Sequence, residues 1–435
     1  MKKSAVFIFI SLLVSAVSAL AGKTTFYTLD NGMEVILKEN HAAPLISSVI
    51  IVKAGSKFEN EENNGFTHLL EHMLFNGTVK RSRKEIDEGI RDYGGYINAF
   101  TRQEMTGYLV VMPREFIEYG FDIQSDQLFN SILPADQFPK ERDIVVEEIK
   151  KDNDVAGNIA YDYFNSVKFK ETPYARPVIG YEETIRNVTR DEVMKYYKDY
   201  YVPNNMTAFI TGDFETDEMK RLVDKYYGKI PRGEDPVLSE FIISPPYDAK
   251  INIKRHPAKV SYIDISFPGP LYSESDYFAY DVLSQYLDSE ASPLSNALTG
   301  GDDPLAVSVS VSLDIQSEFT MMDISIRTNK PENIDRIVRE TLSVLKEITE
   351  KEFSESDIRR VVVPNKVNEI KLEEKLHYYG IMKAPYLATC GYEFLENYTD
   401  NLSKVKPGDI GAITKKYFAR PRYVASALAP GEEGK

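Results

Sequence analysis

Alternating and continuous runs of apolar residues, separated by turn-forming residues, predict a mixture of strands and helices in the first half of the chain. Asp30–Gly32 has the composition of a tight turn and is flanked by two strand-like runs, which predicts a β-hairpin. The predicted strands are Phe26–Leu29, Met33–Lys38, Ile46–Ala54, Tyr96–Thr101, Tyr108–Met112 and Met206–Gly212. Helical periodicity predicts helices at Phe66–Phe75, Arg83–Tyr93, Glu115–Asn130, Phe138–Lys151 and Thr216–Tyr227.

The second half repeats this order of elements with little residue identity. The predicted elements are strands at Val260–Phe267, Leu305–Leu313 and Thr320–Ile326, and helices at Tyr277–Tyr286, Glu332–Glu350 and Glu355–Glu374. We expect an α+β protein with two homologous α/β-sandwich domains, each an antiparallel-rich sheet covered by helices, related by duplication. The predicted domains are residues 22–231 and 250–435. A proline-containing stretch of little periodicity, residues 232–249, is the predicted linker.

The first 21 residues form a segment of a different kind. Lys2 and Lys3 precede an apolar run from Ala5 to Val17, and Ala19–Ala21 is a small-x-small cleavage sequence. The apolar run is too short for a comfortable membrane span, so we predict a signal peptide at residues 1–21 rather than a stable membrane anchor. The mature chain is then expected to be periplasmic or secreted and to begin at Gly22.

Charge and cysteine content narrow the classes of function. The 435 residues carry a formal net charge of −15, which argues against a nucleic-acid-binding protein because such proteins need a basic face. Cys390 is the only cysteine in the sequence, so an intramolecular disulfide and a cysteine-rich zinc site are both excluded. Any metal must therefore be held by histidine and carboxylate side chains.

The sequence His68-Leu-Leu-Glu71-His72 has the spacing of a metal site on a helix. Positions 68, 71 and 72 fall within an arc of roughly 100° on a helix, so both imidazoles can reach one ion with a carboxylate beside it. Two nitrogens and one oxygen suit zinc, with a fourth position left for water. We predict one Zn²⁺ per chain, bound in part by His68 and His72, with Glu71 as the general base that takes a proton from water. The order is the reverse of the thermolysin-type motif and is that of the inverzincins.

The chain resembles the pitrilysin or insulinase family of zinc peptidases, in the branch of bacterial proteins that are similar to the mitochondrial processing peptidase. The stretches that carry the resemblance are Leu29–Met33, Gly65–Thr78, Asn98–Thr101, Glu141–Glu148, Pro173–Gly180 and Tyr201–Met206. They extend through nearly all of the first half, whereas the second half matches only loosely. The resemblance implies a zinc endopeptidase that hydrolyses peptides or unfolded polypeptide segments.

The resemblance also implies a third zinc ligand, a glutamate seventy-odd residues after the second histidine. Two adjacent residues, Glu147 and Glu148, are candidates. The family pattern places a supporting glutamate seven residues before the ligand, and Glu141 and Glu148 are seven apart, two helical turns on one face. We therefore predict Glu148 as the ligand and Glu141 as the residue that supports the site.

The resemblance further implies how substrate is held. Asn98 and Ala99 match a family segment that forms an edge strand and pairs with an extended peptide. Family members commonly carry an Arg and a Tyr in a later half that hold substrate over the zinc. The corresponding runs here, Ser292–Leu294 and Pro304–Val307, lack both residues.

The resemblance also implies that this chain has a second chain as its partner. The family encloses peptides between two shells, each of two domains, as in a clam-shell, and this chain has the length of one shell. We expect a homodimer or a heterodimer with a subunit of the same fold.

Two other functions compete with the peptidase. One is a non-catalytic peptide-binding or scaffold subunit of a processing-peptidase-like complex, and the other is a periplasmic solute-binding protein. The complete metal motif disfavours both.

Overall fold

The computed structural model describes residues 23–237 and 241–431. The predicted signal peptide, residues 1–21, lies outside the described residues.

The first half forms strands and helices in alternation. In chain order they are β1 (Thr24–Thr28), β2 (Glu34–Glu39), β3 (Leu45–Val52), α1 (Phe66–Leu74), α2 (Arg83–Arg91), β4 (Tyr96–Thr101), β5 (Thr106–Pro113), α3 (Ile117–Phe129), α4 (Phe138–Asn153), α5 (Ala156–Lys168), α6 (Glu182–Asn187), α7 (Arg190–Tyr200), β6 (Met206–Gly212) and α8 (Thr216–Val223). The predicted turn at Asp30–Gly32 joins β1 to β2, and Gly32 has a φ of +90°, which favours glycine.

These strands form one six-stranded sheet in the order β1-β2-β6-β3-β5-β4. Within this sheet only the β2–β6 pair is parallel, which confirms the prediction of an antiparallel-rich sheet. β3 lies in the middle, where Val49 pairs with Leu109 on one side and Phe209 on the other. Within the described residues β4 pairs only with β5, so it is an edge strand.

The second half forms a sheet of its own. In chain order its elements are β7 (Ile251–His256), β8 (Ser261–Pro268), α9 (Tyr277–Asp288), α10 (Pro293–Thr299), β9 (Ser308–Ile315), β10 (Thr320–Thr328), α11 (Ile334–Glu347), α12 (Glu355–Glu373), α13 (Leu376–Thr389), α14 (Tyr392–Lys404), α15 (Pro407–Phe418) and β11 (Val424–Pro430). The sheet order is β7-β11-β8-β10-β9.

The predicted duplication is confirmed by the topology of the two sheets. The order β7-β11-β8-β10-β9 corresponds strand for strand to β2-β6-β3-β5-β4, and the parallel pair occupies the same position in both. In each half the strand that follows the first helices lies at the sheet edge, as β4 in the first and β9 in the second. The chain is thus an α+β protein with two domains of one plan, as expected for half of a clam-shell.

Each half contributes a helix that covers the sheet of the other half. α5 packs Ala160 and Phe164 against Leu428 of β11. α13 packs Ala384 and Leu387 against the face of the first sheet that includes Val49. Because each sheet buries one face against the opposite half, the two domains share a continuous interface.

The predicted linker, residues 232–249, contains no helix or strand in its described part. Phe241 packs at the junction of the halves, against a cluster that contains Phe169 of the first and Phe319 of the second. The positions of the domain boundaries stay a prediction. In the described part of the chain, no helix combines the length and the apolar character that crossing a bilayer requires.

Candidate metal centre

Helix α1 presents the predicted metal-binding residues on the face opposite to its core contacts. Leu69, Leu70 and Met73 are fully buried in the core of the first half. His68, Glu71 and His72 lie on the other face and are partly exposed. The amphipathic pattern of the helix therefore fixes the direction in which the three side chains point.

The start of α1 is held by a carboxylate from the preceding loop. Gly65, at the helix N-terminus, has no side chain for capping, and Glu59 takes that role. The carboxylate of Glu59 accepts hydrogen bonds from the backbone N–H groups of Gly65 (2.8 Å) and Thr67 (2.7 Å) and from the amide of Asn64 (3.1 Å). The first turn of the metal-binding helix is thereby anchored to the loop.

The structure brings His68, His72 and Glu148 together. One donor atom from each residue lies within 4.8 Å of the others. Glu148 Oε2 is 3.4 Å from Nε2 of His72 and 4.0 Å from Nε2 of His68. Tetrahedral zinc with ligands near 2.1 Å would separate its donor atoms by about 3.4 Å, so this spacing is suitable for zinc.

Two buried atoms of the cluster lack a hydrogen-bond partner among the described residues. Oε2 of Glu148 and Nδ1 of His68 are buried and accept or donate no hydrogen bond. A buried carboxylate oxygen is normally hydrogen-bonded, and here it faces two imidazole nitrogens. The donor set therefore fits a cation such as zinc.

Glu147, the neighbouring candidate, points away from the cluster. Its side chain is 71% exposed and pairs with Lys150 at 2.7 Å. The structure thus brings Glu148, and not Glu147, to the two histidines.

Glu141 contacts the site from behind His72. Its carboxylate lies 3.3 Å from Nδ1 of His72 and accepts a hydrogen bond from Arg83 at 2.5 Å. Arg83 also donates to the side chain of Asn76, which in turn donates to the backbone carbonyl of His72. This network orients the imidazole so that Nε2 faces Glu148.

The surroundings of the two histidines shift their pKa values in opposite directions in the protein chain alone. Burial, with His72 nearby, lowers the pKa of His68 to about 3. Burial would lower the pKa of His72 too, but the hydrogen bond with Glu141 and the charges of Glu148 and Glu71 outweigh it and raise that pKa. His68 is therefore neutral at physiological pH, as a metal ligand must be.

Glu71 lies beside the cluster, and Thr101 at the end of β4 holds it. The hydroxyl of Thr101 donates a hydrogen bond of 2.5 Å to Oε2 of Glu71. Burial raises the pKa of Glu71, and the Thr101 hydrogen bond opposes only part of this shift. A carboxylate of raised pKa next to the metal-binding residues is suited to accept and return a proton.

Asn98 and Ala99 lie on β4, the free edge of the first sheet. Asn98 is exposed and Ala99 is partly buried. β4 packs against α1, so its edge runs beside the metal-binding residues. The predicted substrate contacts of both residues stay a prediction.

Two further histidines, and the two second-half runs described above, lie outside the cluster. His41 is exposed and pairs with Asp213 at 2.6 Å, and His256 is partly buried in β7. Ser292 caps α10, and Val307 is exposed before β9.

Sequence reasoning missed three residues that position the site: Glu59, Arg83 and Thr101. Glu59 lies in a loop without periodicity, and only the absence of a capping side chain at Gly65 hints at it. Thr101 belongs to a segment that the resemblance singled out, but nothing in the sequence shows that its hydroxyl reaches Glu71.

The sequence matches known peptidase models over most of its length. Residues 34–182 match the model described as insulinase (peptidase family M16), and residues 187–362 match the model described as the peptidase M16 inactive domain.

Individual proteins show the same relationship. The chain is 28% identical over 335 residues to the uncharacterized zinc protease YmxG of Bacillus subtilis, covering 76% of this chain and 81% of that protein. It is 28% identical over 332 residues to the mitochondrial-processing peptidase subunit beta of Neurospora crassa, covering 74% and 70%. The crystal structure of a protease from Helicobacter pylori superposes with a TM-score of 0.85 at 20% identity, covering 94% of this chain and 100% of that one, which shows a common fold.

Proposed function

Because the chain belongs to the insulinase family of peptidases, peptidase family M16, we propose that it is a zinc-dependent endopeptidase that hydrolyses peptides or unfolded polypeptide segments. The observation that carries this proposal is the convergence of His68, His72 and Glu148 beside Glu71. The relative from Bacillus subtilis that is named a zinc protease supports zinc as the metal.

The protein side chains have distinct roles in the proposed reaction. His68, His72 and Glu148 would hold the ion, and Glu141 would keep His72 oriented. When bound, zinc supplies a Lewis acid that polarises a carbonyl and lowers the pKa of water. Glu71 takes the proton of the attacking water and delivers it to the leaving amine, with Thr101 fixing one oxygen of its carboxylate.

The free edge of β4 supports the choice of substrate. An extended peptide can add to this edge through main-chain hydrogen bonds, which demand little of its sequence. Asn98 is exposed on that strand and can contact the peptide backbone. This mode favours unfolded segments over folded proteins, because only an unfolded segment can present a free strand.

Metal removal tests the proposal. We expect the purified protein to carry about one zinc ion per chain and, as a dimer or with a companion subunit of the same fold, to hydrolyse members of a peptide library. A chelator should abolish hydrolysis, and stoichiometric zinc should restore it. Equal hydrolysis by the metal-free protein would contradict the proposal.

A non-catalytic peptide-binding subunit of a processing-peptidase-like complex is a second candidate. It is favoured by the match of the second half to a model described as an inactive domain. This candidate predicts zinc and peptide binding without turnover in the same library assay.

We further propose that catalysis needs a second chain, either another copy or a companion subunit of the same fold. The relative from Neurospora crassa is named a subunit, which supports a two-chain assembly. A lone shell would leave the metal site open to bulk water and would hold the peptide on one side only. Poor positioning of the substrate and poor exclusion of water lower the rate of catalysis by several powers of ten. Light scattering across a dilution series, with turnover measured on the same samples, tests this. A monomer that is fully active at every concentration would contradict it.

A further inference from the structure

Glu104 is a buried carboxylate that joins the two halves of the chain. From the first half it accepts hydrogen bonds from Nζ of Lys57 (3.0 Å) and the hydroxyl of Tyr174 (2.7 Å). From the second half it accepts from the backbone N–H of Ser317 (3.0 Å), the hydroxyl of Ser317 and the hydroxyl of Thr389. Its exposed fraction is only 8%. A buried carboxylate with this many donors is rigidly held, because each lost donor would leave it incompletely paired.

Glu104 belongs to the turn that connects β4 to β5. The N–H of Arg102 donates to the carbonyl of Met105 (2.8 Å), which closes the turn. Two amides of the first half bind its carbonyls: the N–H of Ser56 donates to Arg102 (3.2 Å), and the N–H of Lys57 donates to Gln103 (2.8 Å). The turn is thus clamped by the first half through its backbone and by the second half through the side chain of Glu104.

The same turn continues directly from the residue that holds the proposed general base. Thr101 is the last residue of β4, three positions before Glu104, and its hydroxyl donates to Glu71. In the sheet Thr101 pairs with Thr106, whose hydroxyl binds the carbonyl of Ala54 at 3.0 Å. Displacement of the turn would therefore move the Thr101 hydroxyl relative to Glu71.

We infer that Glu104 is a positioning residue through which the second half of the chain holds Thr101 against Glu71. This inference rests on the proposed function, since it assigns a role relative to the general base. It gives the second half, none of whose described residues belongs to the His68, His72 and Glu148 cluster, a defined part in the reaction. Ser317 and Thr389 are the contacts through which that half acts.

Kinetics of the zinc-loaded chain test the hydrogen bond from Thr101 to Glu71. We expect Thr101→Val to lower kcat by about 10- to 100-fold, as misplacement of a reacting group does, with KM and zinc content unchanged. Thr101→Ser retains the hydroxyl and should restore kcat to near the wild-type value. Equal losses in the Val and Ser variants would contradict a hydrogen-bonding role.

Hydrogen exchange of the same protein tests the link to the second half. In Glu104→Gln we expect the amides of Ser56, Lys57 and residues 102–106 to exchange about tenfold faster, with kcat falling more than KM rises. Ser317→Ala leaves every charge in place and should shift both readouts in the same direction by less. If Glu104→Gln fails to fold, Ser317→Ala tests the link to the second half by itself.

Glu373→Gln is the matched control, because Glu373 also bridges the halves, through Lys38 at 2.5 Å, without contacting the turn. It should change neither kcat nor exchange at the turn. Unchanged exchange in Glu104→Gln, or equal acceleration in the control, would overturn the inference. If the wild-type chain hydrolyses no peptide, either alone or with a companion subunit of the same fold, the proposed function fails. Exchange would then still decide whether Glu104 anchors the turn.

Discussion

At the scale of single residues, two adjacent glutamates on α4 have different surroundings. Oε2 of Glu148 is buried against the histidines, whereas Glu147 reaches solvent and pairs with Lys150. We predict that Glu148→Gln lowers zinc content sharply, by at least about tenfold at limiting zinc, because an amide is a poorer ligand than a carboxylate. Glu147→Gln is the matched control and should bind zinc like the wild type. Metal analysis after dialysis measures both, and exchanged effects would show that the wrong glutamate was assigned.

The residue types and their intervals allowed most of this cluster to be predicted. The four-residue spacing of His68 and His72 places both on one helix face, and the seven-residue interval from Glu141 indicated Glu148. Hydrogen bonds between distant loops have no such periodicity. For that reason the contacts of Glu59 and Thr101 could not be predicted from the sequence.

At the scale of elements, the stability of α1 depends on a carboxylate outside the helix. Glu59→Gln would turn an amide N–H toward the backbone N–H groups of Gly65 or Thr67, leaving a buried donor without an acceptor. We expect the free energy of unfolding to fall by about 1–3 kcal/mol. Thermal or denaturant unfolding measures the change. Glu61→Gln, at an exposed position of the same loop, should stay within about 0.5 kcal/mol of the wild type, and an equal effect of the two would contradict the capping role.

The strands were the elements that the sequence predicted best. Tyr96–Thr101 and Met206–Gly212 have the predicted bounds; Gly94 and Gly95 precede the first strand, and Asn205 and Asp213 flank the second. The strand predicted at Leu305–Leu313 instead spans Ser308–Ile315, and the helix predicted at Thr216–Tyr227 ends at Val223, before a π-helical turn. α5 and α13 were not predicted. Their buried residues face a sheet in the opposite half, and this packing has no local signal.

At the scale of the whole molecule, two carboxylates between the two halves of the chain, Asp264 and Asp323, lie beside one buried cation, Lys168. Lys168 of α5 pairs with Asp323 at 2.8 Å, and the hydroxyl of Ser266 lies within hydrogen-bond distance of both Asp323 (2.5 Å) and Asp264 (2.7 Å). Burial, with the charge of Asp323 nearby, raises the pKa of Asp264 to about 7.

This shift predicts how stability depends on pH. A pKa that is higher in the folded than in the unfolded state means that the folded state binds the proton more tightly. The contribution of Asp264 to the free energy of unfolding is therefore fully present below about pH 4 and is lost as pH rises towards about 7. We expect Asp264→Asn, which cannot ionise, to gain stability relative to the wild type over this range. Denaturant unfolding of both proteins at several pH values measures the difference. Asp302→Asn, at an exposed position, should show no such trend, and a pH-independent difference for Asp264→Asn would contradict the prediction.

The proposed endopeptidase activity is tested most directly by Glu71→Gln, with turnover and zinc content measured on the same sample. The substitution removes the proton acceptor and leaves His68, His72 and Glu148 in place. We predict that zinc stays at about one ion per chain while kcat falls by about 10²- to 10⁴-fold, the usual contribution of a general base. Near-normal turnover in this variant would contradict the role of Glu71 and, with it, the mechanism proposed for this chain.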